Sequence, residues 1–152
     1  MSDVIVDNYE ITRLLNRYNS TVDIQDFNGW ADCFVNDGVF DGAYQSFTIP
    51  QDLRKFRDMA LQIMDEAPNI RHYTTNLQIE INGDSAKAES FLLLVSTPNH
   101  REDGTVPNSR IVQAGVYHDD LVRVDGKWKI KLRRVVIDGA PQEHKPMWIA
   151  DA

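Results

Sequence analysis

Arg71-His72-Tyr73-Thr74-Thr75-Asn76-Leu77-Gln78-Ile79-Glu80-Ile81, closed by Asn82-Gly83-Asp84, is the stretch from which the architecture can be read. Ala67-Pro68-Asn69 ahead of it stops a helix, and Asn82-Gly83 is a strong hairpin turn. The stretch therefore opens a sheet. Three further strands follow, over about 85–98, 109–124 and 127–138, the last two joined at Asp125-Gly126. A polar loop, Pro98 to Asn108, joins the second strand to the third. Along the first strand His72, Thr74, Asn76, Gln78 and Glu80 share one parity, and Tyr73, Leu77, Ile79 and Ile81 the other. Strict alternation would turn His72 to water. A bulge near Thr74-Thr75 would re-aim it, since curved sheets bulge beside active sites.

Upstream of this stretch the apolar period changes from two to that of a helix. Ile11, Leu14, Leu15, Tyr18 and Val22 make one face of a helix over 8–21, with Asp7 and Glu10 spaced as a capping box. Asp26 caps a short second helix carrying Phe27, Trp30, Ala31 and Phe34, broken at Asn36-Asp37-Gly38; Val39 to Gly42 is a short strand or turn. A third helix begins at Pro50, a residue suited to the first helical position. Its buried stripe is Leu53, Phe56, Met59, Ala60, Ile63 and Met64. Three helices followed by a meandering antiparallel sheet make an α+β fold, read as one domain over 1–152: a cone-shaped barrel with the helices packed on a strongly curved sheet around a pocket. Phe91-Leu92-Leu93-Leu94-Val95 is apolar on both faces. The helices cover one, and a second copy of the chain is expected to cover the other, giving a homodimer or homotrimer.

The chain has 152 residues, 42% of them hydrophobic, enough to bury a core. Its net charge of −7 argues against nucleic acid or an anionic membrane as partner. Lys129 to Arg134 alternates basic and apolar residues as a solvated strand face does. No apolar run reaches the roughly 18 residues of a membrane span, and Met1-Ser2-Asp3-Val4 is no signal peptide, so the expected compartment is the cytoplasm. The one cysteine, Cys33, lies on the apolar side of the second helix and reads as a buried, inert thiol. His100, His118 and His144 are scattered, and no His-x-x-x-His, Cys-x-x-Cys or glycine-rich phosphate loop occurs. Neither a metal nor a nucleotide cofactor is expected.

Four passages resemble SnoaL-like members of the nuclear transport factor two-like superfamily: Tyr18 to Asp26, Trp30-Ala31-Asp32-Cys33-Phe34, Arg71-His72-Tyr73-Thr74-Thr75-Asn76, and Tyr117 to Lys129. The likeness runs from about Tyr9 to Asp138. It implies a helix-and-sheet cone around one apolar pocket, on a scaffold that hosts dehydratases, isomerases, cyclases, epoxide hydrolases and non-catalytic subunits. The nearest likeness is to the lyase branch, which includes scytalone dehydratase, bile-acid dehydratase and hexachlorocyclohexane dehydrochlorinase. That resemblance implies an Asp–His pair at Asp23 and His72. It also places an arginine at Arg133, five residues after Trp128, and a tyrosine at Tyr18, five before Asp23. The branch's second histidine falls on Thr97 and its asparagine on Tyr117, so those two groups differ here.

The residue chemistry agrees with these positions. A base that removes a C–H proton suits histidine, whose pKa lies near working pH. A carboxylate on its far nitrogen fixes the tautomer. Asp23 ends a helix, where the dipole disfavours negative charge, so it is either a turn residue or one held by a specific partner. Arg133 would hold a leaving anion or an enolate oxygen, with Tyr18 and Tyr117 as donors. Phe34, Phe40, Met59, Ile63, Phe91, Leu93, Val95 and Thr97 would line the cavity, which implies a small apolar cyclic substrate. Met147 and Trp148 would lid it or pack on a neighbouring subunit. The expected activity is a cofactor-independent lyase, a dehydratase or dehydrohalogenase. The alternatives are an isomerase or cyclase of steroid or polyketide type, and a non-catalytic ligand-binding or dioxygenase-β-like subunit.

Overall fold

The structure, a computed structural model, describes residues 3–141. The tail with His144, Met147 and Trp148 lies outside the described residues. In chain order the elements are α1 (Val4–Asp23), α2 (Phe27–Ala31), β1 (Phe34–Asp41), β2 (Ser46–Ile49), α3 (Leu53–Glu66), β3 (Arg71–Asn82), β4 (Ser85–Ser96), β5 (Arg110–Val124) and β6 (Lys127–Ile137). The strands form one curved sheet in the order β2-β1-β6-β5-β4-β3. All neighbours are antiparallel except β1 and β6, which run parallel. The sheet does not close: β2 and β3 are its two edges, so the expected barrel is an open sheet with helices over its concave face.

α1 starts a turn earlier than its apolar pattern predicts. Asp3, not Asp7, is the cap, accepting the Ile5 N–H at 2.9 Å. Val4, Ile5 and Val6 are exposed and add nothing to the apolar face, which is why that turn was not legible. Asp7 is instead buried, and its Oδ1 accepts from Arg123 Nη2 at 2.7 Å and Trp128 Nε1 at 3.0 Å. The helix is thereby pinned to the β5–β6 hairpin. α3 starts at Leu53 rather than Pro50. Asp52 occupies its cap, and its Oδ2 accepts the Thr48 N–H at 3.0 Å, tying the helix to β2. Trp30 stacks on Phe56 with centroids 3.7 Å apart and joins α2 to α3.

Three one-residue irregularities shape the sheet. On β3 the pairing shifts between Thr75 and Gln78, where Asn76 adopts φ +55°. On β5 it shifts opposite Leu94/Val95, and on β6 opposite Asp120/Leu121. Each changes which parity faces the helices. Gly115 bends β5 further: a Cβ there would lie 2.3 Å from the Val136 carbonyl oxygen.

Candidate active site

α1 meets the edge strand β3 through two polar rungs. Asn19 Nδ2 donates to Thr74 Oγ1 at 3.1 Å, and one turn on Asp23 meets His72. Four helical residues rise about 6 Å and two strand residues about 6.7 Å, so the rungs match when helix and strand run opposite ways. Asp23 Oδ2 accepts the His72 backbone N–H at 3.0 Å, and Oδ1 faces Nδ1 at 2.6 Å. Both side chains are largely buried, 8% exposed for Asp23 and 16% for His72. The carboxylate at the unfavourable helix end is thus satisfied by a specific partner. Nδ1 is occupied by Asp23, which leaves Nε2 for whatever the ring faces.

The ring lines a cavity of about 150 Å³ between the helices and the sheet. His72 reaches it because of the β3 bulge, which lies at Asn76-Leu77, two residues beyond the expected position. Before the bulge the even residues, His72 and Thr74, face α1. After it the odd ones, Leu77, Ile79 and Ile81, pack against the core.

Of the residues expected at the site, Tyr18, Phe40, Met59, Ile63 and Tyr117 line this cavity with His72. The others stand elsewhere. Phe91 and Leu93, 40% and 37% exposed, lie with Val95 on the outer face of β4, while Leu92 and Leu94 face the cavity. A strand apolar at both parities gives no sign of which set faces in. Phe34 is core, packed on Trp30 and Tyr18. Thr97 pairs with Ser109 Oγ at 2.7 Å beyond the end of β4.

Arg133 does not line the cavity, which corrects its placement beside bound substrate. It is fully buried, and its Nε and Nη2 bond Asp119 Oδ1 and Oδ2 at 2.7 and 2.8 Å. Its guanidinium carbon lies 4.2 Å from the Tyr18 ring centroid and 4.0 Å from that of Tyr117, in the corner made by the two cavity-lining rings, whose planes meet at 78°. The cation therefore contacts the tyrosines and not the cavity. Burial pushes the Tyr18 phenol up to about 12, although Arg133 pulls the other way, and burial also raises Tyr117. Both are neutral hydroxyls at working pH. Burial alone would lower the Arg133 pKa, but Asp119 outweighs it and holds the guanidinium charged.

The solvated reading of the Lys129–Arg134 run holds for Lys131 and Arg134 and fails at Arg133. Lys129 pairs with Asp32 and Arg134 with Asp41, while Arg133 is internal. His118, read as a surface or interface residue, is half-buried beside the buried Glu89, with its Nδ1 3.7 Å from Oε2. Cys33 is fully buried and its thiol is raised to about 11 by burial, in line with an inert core cysteine. Among the described residues no helix is long and apolar enough to cross a membrane.

Residues 3–134 match the family model of the SnoaL-like domain, and the chain belongs to that family. Its fold is shared by a nuclear transport factor two-like protein with a cystatin-like fold from Novosphingobium aromaticivorans. That structure aligns with a TM-score of 0.75 at 18% identity, over 91% of this chain and 86% of the other. A protein of unknown function from Mycobacterium tuberculosis is 31% identical, with a TM-score of 0.72 over 88% of this chain and 72% of its own. The anthranilate 1,2-dioxygenase small subunit of Burkholderia cepacia is 26% identical over 144 residues, 86% of each chain.

Proposed function

We propose that the chain is a cofactor-independent lyase acting on a small apolar cyclic compound, with His72 as base. The observation that supports this most is the 2.6 Å Asp23–His72 contact, with the imidazole at the wall of an otherwise mainly apolar cavity. Asp23 keeps the proton on Nδ1, and Nε2 takes a proton from a ring carbon. The C–H electron pair becomes the new C=C bond as the bond from the neighbouring carbon to its leaving group breaks. A departing hydroxide recovers the proton from the imidazolium and leaves as water; a halide leaves as the hydrogen halide. Histidine ends as it began, so no co-reactant is needed. Tyr18 and Tyr117, as neutral hydroxyls, donate to the oxygen or halide that gains charge. Arg133 is a positioning residue that holds and polarises them.

Incubation with a panel of cyclic alcohols and halides, read by mass spectrometry, tests this. Products lighter by water or hydrogen halide are expected with the native chain and not with His72→Ala. A product of unchanged mass indicates isomerisation instead. If His72→Ala and Asp23→Asn both turn over at the native rate, the pair has no catalytic role.

A second reading, a non-catalytic subunit, is favoured by the likeness to a dioxygenase small subunit. The outer sheet face also presents Tyr73, Phe91 and Leu93 to solvent, suited to a second copy in a homodimer or homotrimer or to a larger partner. Purification with a large iron–sulfur chain from the native source supports this reading. A stable homo-oligomer that turns substrate over opposes it.

A further inference from the structure

The cavity wall carries a polar group that the proposed chemistry does not use. Gln113, on β5, lines the same cavity as His72. The two sit in one row across the sheet, since His72 pairs with Leu94 and Leu94 with Gln113. Two strand spacings set their backbones about 10 Å apart, with one aliphatic side chain between them. Gln113 faces inward because it shares the parity of Tyr117 along an unbroken register, Leu94 pairing with Gln113 as Ser90 pairs with Tyr117; the β5 bulge at Val112 comes beyond it, where Val95 pairs with Ile111. It is half-buried among Leu94, Val135 and Ile137, and among the described residues its carboxamide makes no hydrogen bond. The carboxamide is not sealed from solvent, so the cost falls when a ligand displaces the water at this wall without offering the amide a partner of its own. Hydrocarbons and polyhalogenated rings offer it no good partner; a carbonyl or hydroxyl oxygen does.

We infer that Gln113 is a specificity-determining residue that hydrogen-bonds an oxygen substituent on the substrate, about one ring width from the carbon that His72 deprotonates. This rests on the lyase reading and narrows it: the substrate is an oxygenated single ring, and the elimination is a dehydration rather than a dehydrohalogenation of an oxygen-free halocarbon. The cavity of about 150 Å³ suits a compound of that size.

Cyclohexanone and methylenecyclohexane, which differ only by O against CH2, test the contact by NMR titration. In the native chain, cyclohexanone is expected to bind more tightly and to shift the Gln113 side-chain NH2 signals. Gln113→Leu should weaken the ketone about tenfold, the value of one good hydrogen bond, and leave the alkene unchanged or tighter. Its Tm should equal or exceed the native one, which separates lost recognition from lost folding. No preference for the ketone, no binding of either probe, or unchanged ketone affinity in Gln113→Leu overturns the inference. His72→Ala keeps the two hypotheses apart. Whether it still catalyses elimination bears on the base, whereas the ketone preference of the native chain and its loss in Gln113→Leu, both read by binding alone, bear on Gln113.

Discussion

The Asp23 carboxylate grips His72 at both ends, one oxygen on the backbone N–H at 3.0 Å and the other on Nδ1 at 2.6 Å. The backbone contact fixes where the strand edge lies against α1, and the ring contact fixes the tautomer. In Asp23→Asn the amide oxygen can still accept the backbone N–H, but its NH2 then faces Nδ1 and forces the ring proton onto Nε2. Nitrogen NMR of the ring should show the proton on Nδ1 in the native chain and on Nε2 in the variant. Turnover should fall about 10²–10⁴-fold, the usual worth of a positioned base. An unchanged tautomer would sink the orienting role.

The β3 bulge is what turns His72 inward, and Asn76 at φ +55° is its pivot. Asparagine and glycine tolerate that conformation and β-branched residues do not. Asn76→Gly should keep the fold and the ring tautomer. Asn76→Val should cost about 1–2 kcal/mol, seen as a fall of several degrees in Tm. Deleting Asn76 should do more, because the hairpin holds Gln78 to Asn82 in register and His72 and Thr74 would turn to the outer face.

The bulges also bound what could be read from sequence. The positions of β3 to β6, both hairpin turns and the α1 and α3 faces were legible because period and turn chemistry are local; β1, whose Phe34 reads as the end of a helix and whose Asn36-Asp37-Gly38 reads as a break, and the four-residue β2 were not. The inward parity of β4 was not, since Phe91 to Val95 is apolar throughout. Counting back from the Asp125-Gly126 turn sets Asp119 opposite Leu132. The extra residue on β6, Lys131, moves it to Arg133 and makes the buried pair. Asn19 carried a weak signal, a polar residue on the buried side of α1, and Gln113 a similar one on β5. Both needed the register to acquire meaning.

Asp119 and Arg133 are fully buried together, so removing one partner should cost far more than removing both. Arg133→Met leaves a buried carboxylate without its cation and should lose about 3–5 kcal/mol. Asp119→Leu combined with Arg133→Met should recover most of that loss in urea unfolding. Equal losses for the single and double variants would show that the packing of Arg133 on the two tyrosine rings, not the ion pair, carries the stability.

Alkaline unfolding follows from the buried acids. Tyr18 titrates near 10 when unfolded and at about 12 in the fold, because burial disfavours its anion. Below pH 10 both states hold the proton and the group adds no pH dependence. Between 10 and 12 the unfolded chain releases it while the native chain retains it, so stability falls as pH rises. Two pKa units amount to roughly 2–3 kcal/mol from this one phenol. Cys33, raised from 9.0 to about 11, begins the decline a unit earlier, and Tyr117 adds in the same direction. Urea unfolding at pH 8, 10 and 11.5 should show a modest fall over the first interval, from Cys33, and a steeper one over the second. Tyr18→Phe should make the fall between the last two points shallower. An equal slope in both proteins would mean that Tyr18 already reaches water in the native state.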